Sequence, residues 1–333
     1  MLPQEDFLNL CFYRVTLKMV IMGRFHIFLS FIVSLFCYSA FAQDNMTIIT
    51  QVVDGYPAVS PDGKHLVFTS NRSGTYQIYT CTIMGENIQQ LTYSSGSNQT
   101  PVWSPDGDKI VFASERDNDS EIYIMNADGT GQIRLTDQPG DDSHPKFSPD
   151  GTRIIFNSPR ATPDLSVPWL EQFHEIYTMD TGGHDLKQIT SFRSVCTYPS
   201  YSPDGTKIVF RRITRDPGLD WALDSMGINS EVFVMNSDGS NPVNISNSTA
   251  YDGWPCWMPD SETIIFTSNR GGIGFKGQLY SVKTDGSSFS RISGLEDSFV
   301  QASVSSDGKI IYAQRNWETE THEYGQIVAI RIE

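Results

Sequence analysis

The sequence has 333 residues, of which 39% are hydrophobic and 12% aromatic, and its formal net charge is −15 at pH 7. A chain of this length and composition can bury one large core or two ordinary ones. Its negative charge repels phosphate backbones and anionic lipid surfaces, so we expect neither nucleic acid as a partner nor insertion into a membrane.

The chain begins with the pattern of an export signal. A basic start at Met22–Arg24 is followed by the apolar run Phe25–Tyr38 and the small-residue stretch Ser39–Ala42, which is typical of a cleavable secretory signal. The apolar run is shorter than the ~20 residues of a spanning helix. We therefore predict a signal peptide over residues 1–42, with 1–21 as an over-extended start, and a mature periplasmic chain from Gln43.

A four-residue turn motif recurs six times in the rest of the chain. The copies are Ser60–Gly63 (SPDG), Ser104–Gly107, Ser148–Gly151, Ser202–Gly205 and the weaker Met258–Ser261 and Ser305–Gly308. Proline presets φ at the second position and glycine accepts a left-handed conformation at the fourth, so each copy predicts a strand reversal. Each is followed by three apolar residues, as at Leu66–Phe68, which indicates a strand buried on both faces.

A third strand, as at Ile122–Met125, and a short fourth strand, as at Ile133–Thr136, complete each repeat. Six repeats of four antiparallel strands predict an all-β fold, a six-bladed β-propeller, over residues 43–333. The last repeat reaches only its third strand, Ile327–Glu333, and Met46–Thr50 resembles the fourth strands of other blades. We therefore predict that the N-terminal strand closes the last blade.

The lines SPDGTKIVF (Ser202–Phe210) and EIYIMNADGTGQIRLT (Glu121–Thr136) resemble the propeller repeats of the TolB family, and the resemblance covers Met46 to Glu333. It implies a periplasmic location and an envelope partner such as a peptidoglycan-associated lipoprotein. The same propeller type occurs in prolyl-oligopeptidase-like peptidases and in some polysaccharide lyases. TolB also has an α/β domain before the propeller, and we expect that domain to be absent here because few residues separate Gln43 from the first strand.

The repeats differ in length only between their second and third strands. The long loops are 159–173 in blade 3 and 212–230 in blade 4, on the face opposite the SPDG turns, which we call the crossover face because the connections between blades also lie there. The loops present Trp169, Glu171, Phe173, Asp216, Asp220 and Trp221. Aromatic residues on loops are common binding anchors. The alternative is that each tryptophan packs its own loop against the rim.

Residues at or near the crossovers add further candidates beside the channel. They are Asp142, His144, His174, Tyr198, Asp252, Trp254 and Gln301. The alternative for these residues is ordinary crossover packing. The recurrent arginines Arg72, Arg116, Arg160 and Arg270 occupy one repeat position, which predicts structural pairing with nearby acids. We predict that Cys81, Cys196 and Cys256 are unpaired.

Together these features predict an exported, monomeric, non-enzymatic propeller without a cofactor, which binds an envelope protein or a cell-wall saccharide through its crossover face. No G-x-S-x-G motif occurs, so we do not expect a serine peptidase. The alternative is a lyase or hydrolase acting on an acidic saccharide with a divalent metal. That alternative requires His144, His174 and His322 to converge on one point.

Overall fold

The computed structural model describes residues 46–48, 52–213, 229–271, 276–294, 297–318 and 323–332. Its strands are β1 (Met46–Ile48), β2 (Asp54–Val59), β3 (His65–Ser70), β4 (Gln77–Thr82), β5 (Gln89–Gln90), β6 (Asn98–Trp103), β7 (Lys109–Asp117), β8 (Asp119–Asn126), β9 (Ile133–Arg134), β10 (Ser143–Phe147), β11 (Arg153–Ser158), β12 (Glu175–Asp180), β13 (Lys187–Gln188), β14 (Cys196–Tyr201), β15 (Lys207–Ile213), β16 (Ser230–Asn236), β17 (Val243–Asn244), β18 (Asp252–Trp257), β19 (Thr263–Ser268), β20 (Gln278–Lys283), β21 (Ser290–Arg291), β22 (Ser298–Val304), β23 (Ile310–Glu318) and β24 (Glu323–Arg331). One 3-10 turn, Trp169–Glu171, lies in the long loop of blade 3. In these ranges no helix has the length and apolar character needed to cross a membrane.

The strands form six four-stranded antiparallel sheets, which are the blades of a propeller. Blades 1 to 5 each contain four consecutive strands, starting with β2–β5, and the first strand of each lines the central channel. In blade 6 the order is β1-β24-β23-β22, and Met46 lies opposite Ile330. The six-bladed all-β fold and its closure by the N-terminal strand are therefore confirmed.

The three-residue apolar runs form the core between blades, as their pattern predicts. Leu66, Val67 and Phe68 in β3 are all fully buried. Leu66 and Phe68 pack with Tyr312 of blade 6, whereas Val67, on the other face of the strand, packs with Phe112 of blade 2. The second strand of each blade thus packs against both neighbouring blades. Burying one such side chain contributes about 1.5–3 kcal/mol to the free energy of unfolding.

The SPDG turns are scaffold. In the first copy Ser60 Oγ donates to Asp62 Oδ1 at 2.6 Å and accepts from the amide of His65 at 2.9 Å. Gly151 has a φ of 70°, and a Cβ added there would lie 3.6 Å from Cδ of Pro105 in the preceding turn. The motif therefore closes each hairpin and also packs neighbouring turns against one another around the ring.

The cysteines Cys81, Cys196 and Cys256 are buried free thiols, in agreement with the prediction that they are unpaired. Burial raises the pKa of Cys196 to about 12 and that of Cys256 to about 11. Thiolates are therefore scarce at neutral pH, and these residues act as small apolar core residues.

Candidate functional site

Each innermost strand contains a β-bulge whose central residue adopts a left-handed backbone conformation. The six residues, with φ between 49° and 56°, are Tyr56, Thr100, His144, Tyr198, Trp254 and Gln301, and we call them the belt. The strand register shifts at each of them. Positive φ is uncommon for residues other than glycine and is concentrated at sites with special constraints. The repeat thus directs six unlike side chains into the channel.

The belt closes the channel. The hydroxyl oxygens of Tyr56 and Tyr198 lie 3.5 Å apart, although they come from blades 1 and 4. The ring of Tyr198 also lies 3.8 Å from that of His144 and 5.9 Å from that of Trp254, measured between centroids. Gln301 Oε1 accepts a hydrogen bond from the amide of Tyr56 at 2.7 Å. The channel is therefore plugged by side chains and has two separate ends.

Arg211 occupies the end of the channel on the crossover face. It belongs to β15, near the strand's final residue, and only 8% of its surface is exposed. Nη1 donates to Tyr251 Oη at 2.8 Å, and the guanidinium carbon lies 5.3 Å from the ring of Tyr198. Its Nε is buried without a partner, and no carboxylate in the described ranges pairs with it. A guanidinium stays charged at all physiological pH values, so Arg211 is a cation without a carboxylate partner among the described residues.

His174 lies beside this cation. It is 2% exposed, and among the described residues neither of its ring nitrogens has a hydrogen-bond partner. The exposed ring of Trp169 lies 4.9 Å from it. We call Trp169, His174, Arg211 and Tyr251 the crossover-end cluster. It combines an exposed aromatic ring with buried polar groups that lack hydrogen-bond partners among the described residues.

Both histidines near the cluster are neutral at physiological pH. Burial lowers the pKa of His144 to about 3, although its hydrogen bond to Asn157 at 2.8 Å opposes the shift. Burial and, to a smaller extent, the charge of Arg211 lower the pKa of His174 to about 4. The charge of the cluster is therefore that of Arg211 alone, and His174 can offer one donor and one acceptor.

The predicted acids Asp142 and Asp252 are fully buried and form ion pairs. Asp142 pairs with Arg160 at 2.6 Å and Asp252 with Arg270 at 2.5 Å. Burial raises the pKa of Asp142 to about 6. Arg72 pairs in the same way with Asp54, at 3.1 Å. The prediction of structural arginine–acid pairs is confirmed in these three blades.

In blade 2 the repeated arginine has a different partner. Arg116 donates to the side-chain oxygen of Asn98 at 2.9 Å rather than to an acid. It also donates to Gln132 at 2.8 Å. The prediction of an acidic partner is therefore wrong at this position, because asparagine stands where blades 1, 3 and 5 have aspartate.

The long loop of blade 3 presents its predicted aromatics at different depths. Trp169 is 41% exposed and Glu171 is exposed, whereas Phe173 is half-buried with the guanidinium of Arg193 5.5 Å from its ring centroid. The remaining predicted loop residues, Asp216, Asp220 and Trp221, lie outside the described residues. Phe173 thus packs at the rim, while Trp169 remains available to a partner.

Sequence reasoning missed Arg211, although the repeat contains a signal for it. Aligned on the turns, its position holds Thr69, Ala113, Asn157, Arg211, Thr267 and Gln314 in blades 1 to 6. Arg211 is the one charged residue in that set. A comparison of each repeat position across the blades would have identified it.

In the described part of the chain, no three side chains among histidine, cysteine, aspartate and glutamate are placed to hold a metal ion. His144 and His174 lie in blade 3, and His322 lies outside the described residues. His144 Nδ1 is also already bonded to Asn157. The proposed metal centre thus has no support from the residues that the structure describes.

The ring of blades and its plugged channel define the class of the molecule, a six-bladed β-propeller. The sequence matches the TolB beta propeller domain over residues 39–112, 94–164 and 218–327, and the chain belongs to this family.

Relatives and solved structures agree with this fold. A stretch of 132 residues is 27% identical to a TolB homologue of Chlorobium luteolum and covers 30% of this chain and 30% of that protein. TolB from Acinetobacter baumannii is similar over 76% of this chain and 57% of its own, with a TM-score of 0.61 and 21% identity. An oligogalacturonate lyase in complex with manganese is similar over 86% of this chain and 93% of its own, with a TM-score of 0.58 and 13% identity. At such identities the structural similarities show the fold alone.

Proposed function

We propose that the protein is an exported, non-enzymatic propeller of the bacterial cell envelope that binds a partner through the crossover-end cluster. The observation behind this proposal is that Arg211, within the described residues, has no carboxylate partner and lies beside His174, whose ring nitrogens have no hydrogen-bond partner there either. An unsatisfied buried polar group costs about 1–3 kcal/mol, so natural structures contain few of them. Several such groups beside an exposed tryptophan favour a site that a partner completes.

The partner that fits this site is a protein with an acidic or carbonyl group for Arg211. An aromatic anchor and a desolvated arginine are the residue types that dominate binding energy at protein interfaces. The proposed partner is an envelope protein such as a peptidoglycan-associated lipoprotein, with a cell-wall saccharide as the second candidate. Residues 1–42 are the proposed signal peptide, and the periplasm is the proposed location.

The enzymatic alternative has less support. A metal-dependent saccharide lyase or hydrolase needs a metal site with several converging ligands and a free position. The described residues provide no such set. What remains for this alternative is a fold shared with oligogalacturonate lyase, and fold alone does not determine function.

The test is a capture experiment with the mature chain, residues 43–333, immobilised and exposed to a bacterial envelope extract. We expect specific retention of an envelope protein, and we expect Trp169→Ala combined with Arg211→Met to reduce retention at least about tenfold. Tyr93→Ala is the matched control, because Tyr93 is an aromatic residue that is 76% exposed after the last strand of blade 1, away from the cluster. Equal retention by the double variant and the control would refute the proposed binding site. Retention of saccharide fragments in place of a protein would instead favour the second candidate.

A further inference from the structure

The channel has a second, separate cavity at the end that bears the SPDG turns. It has a volume of about 400 Å³ and is lined by residues from all six innermost strands. The belt forms its inner wall, and the prolines of the turns, including Pro61, Pro105 and Pro149, form its rim. Binding sites for small molecules typically have volumes of about 300–1,000 Å³. The cavity is therefore large enough for a small ligand and, because the belt blocks it, cannot be threaded by a chain.

Lys146 is the charged residue of this cavity. The aligned lining positions in the six blades hold Ala58, Val102, Lys146, Ser200, Cys256 and Ser303. None of the described residues that line the cavity is an aspartate or a glutamate. Lys146 also has no hydrogen-bond or ion-pair partner in the described ranges, and burial lowers its pKa. In a chain with a net charge of −15, an isolated ammonium group in an acid-free cavity is a specific feature.

The rest of the lining is mainly apolar. The indole N–H groups of Trp103 and Trp257 donate to the carbonyl oxygens of Ala58, at 3.2 Å, and Ser200, at 3.0 Å. Because both of these indole N–H groups already have hydrogen-bond partners, the two tryptophan rings contribute apolar surface to the cavity wall. Thr100 and Trp254 also line the cavity, and the Thr100 hydroxyl and the Trp254 indole N–H are buried without a hydrogen-bond partner in the described structure. The cavity therefore offers one cation within a mainly apolar wall.

We propose that this cavity is a binding site for a small organic monocarboxylate with a flat apolar body, whose carboxylate pairs with Lys146. One negative charge matches the one ammonium group. A phosphate dianion would leave excess charge in an apolar enclosure, which is costly. The apolar body of the ligand would lie against the indole and proline surfaces. Arg211 is not among the described residues that line this cavity, so the site is distinct from that of the proposed function, and Tyr198 of the belt lies between the two.

The test is calorimetric titration of the mature chain with phenylacetate and with its neutral analogue phenylacetamide. We expect phenylacetate to bind at least about tenfold more tightly than phenylacetamide. Lys146→Met should abolish this preference, while Lys146→Arg, which retains the charge, should preserve it. Lys309→Met is the matched control, because Lys309 is an exposed lysine beside the turn of blade 6 on the same face.

Two further outcomes would overturn the inference. The first is no saturable binding of phenylacetate, or an unchanged preference in a folded Lys146→Met protein. The second is loss of binding in Arg211→Met, which would place the carboxylate at the crossover-end cluster. Phenyl phosphate is the remaining probe, and tighter binding of phenyl phosphate than of phenylacetate would contradict the assignment to a monocarboxylate.

Discussion

The hydroxyl groups of Tyr56 and Tyr198 meet at 3.5 Å across the axis of the propeller, between blades 1 and 4 of the six. Because blades 1 and 4 are opposite, this contact places side chains across the full width of the channel. One end then contains Lys146 in a cavity whose described lining has no aspartate or glutamate, and the other contains Arg211 beside His174. Tyr198 contacts Arg211 at one end and lines the cavity at the other, so a variant at each end is best compared with a variant at the other.

Arg211→Met is expected to leave the protein nearly as stable as the wild type while weakening partner capture. The substitution removes the desolvation cost of a buried cation that has no carboxylate partner among the described residues. It also removes the hydrogen bond to Tyr251 and the cation–π contacts with Tyr198 and Tyr251, and these contacts contribute about 0.5–2 kcal/mol each. Since these effects oppose each other, we expect a change of no more than about 1 kcal/mol in the free energy of unfolding, measured by chemical denaturation.

The control for that measurement is Arg160→Met. This change leaves Asp142 buried without its ion-pair partner, so a loss of about 3–5 kcal/mol is expected. A comparable loss in Arg211→Met would mean that Arg211 serves the scaffold rather than a ligand.

His144 makes the stability of the protein depend on pH. Its folded-state pKa of about 3 lies below its ordinary value of 6.5, so the unfolded chain takes up a proton first as the pH falls. The contribution of His144 to stability is therefore complete above pH 6.5 and is lost progressively as the pH falls toward 3. The free energy of unfolding should decrease by up to about 1.4 kcal/mol per pH unit between about pH 6 and pH 4 from this residue.

The measurement compares denaturant unfolding of the wild type and of His144→Gln at several pH values. The difference between the two proteins isolates His144, because the other titrating groups are common to both. His184→Gln is the control, since the side chain of His184 is 82% exposed, and it should retain the wild-type slope. A wild-type slope in His144→Gln as well would show that His144 titrates normally in the folded protein.

The loop of blade 3 should be replaceable without loss of the fold. Ser158 pairs with Glu175 at the end of its hairpin as Ser70 pairs with Gln77 in blade 1, so the short connection of blade 1 closes the same register. Replacing Pro159–Phe173 by a connection with the sequence of Asn71–Thr75, with His174 in the place of Tyr76, should preserve the circular dichroism spectrum and the thermal midpoint. Capture of the partner should fall sharply because Trp169 is lost. Full capture by a folded replacement would exclude the loop from binding, and failure to fold would show that the loop is scaffold.

Deleting Gln43–Thr50 should cost more stability than the removal of a short strand suggests. Met46–Ile48 pairs with Val328–Ile330 and supplies the fourth strand of blade 6, so its loss exposes a strand edge and opens the ring. We expect the thermal midpoint to fall by at least about 5 °C. An unchanged midpoint would mean that ring closure contributes little to stability.

The sequence was sufficient to predict the scaffold because the scaffold is repeated. SPDG turns, apolar triplets and the N-terminal fourth strand all depend on local patterns that recur in each blade, and the structure confirms them. Arg211 and Lys146 can also be identified from the sequence, because each is the one charged residue at its aligned position among the six blades.

Other features of the site depend on three-dimensional contacts that no local pattern contains. The meeting of Tyr56 with Tyr198 requires the closed ring and two left-handed bulge residues, at φ 49° and 56°. The neutrality of His144 follows from burial by neighbouring blades. Asp142 is buried in an ion pair with Arg160. The sequence alone could not distinguish this arrangement from an exposed carboxylate at the mouth of the channel.

The most direct test of the proposed function is hydrogen–deuterium exchange of the mature chain with and without the protein that it captures. Binding at the crossover-end cluster predicts slower exchange in Trp169–Glu171 and in the amides around His174 and Arg211, with no change in the SPDG turns. Protection confined to the turns, with unchanged exchange at Trp169–Glu171, His174 and Arg211, would contradict it.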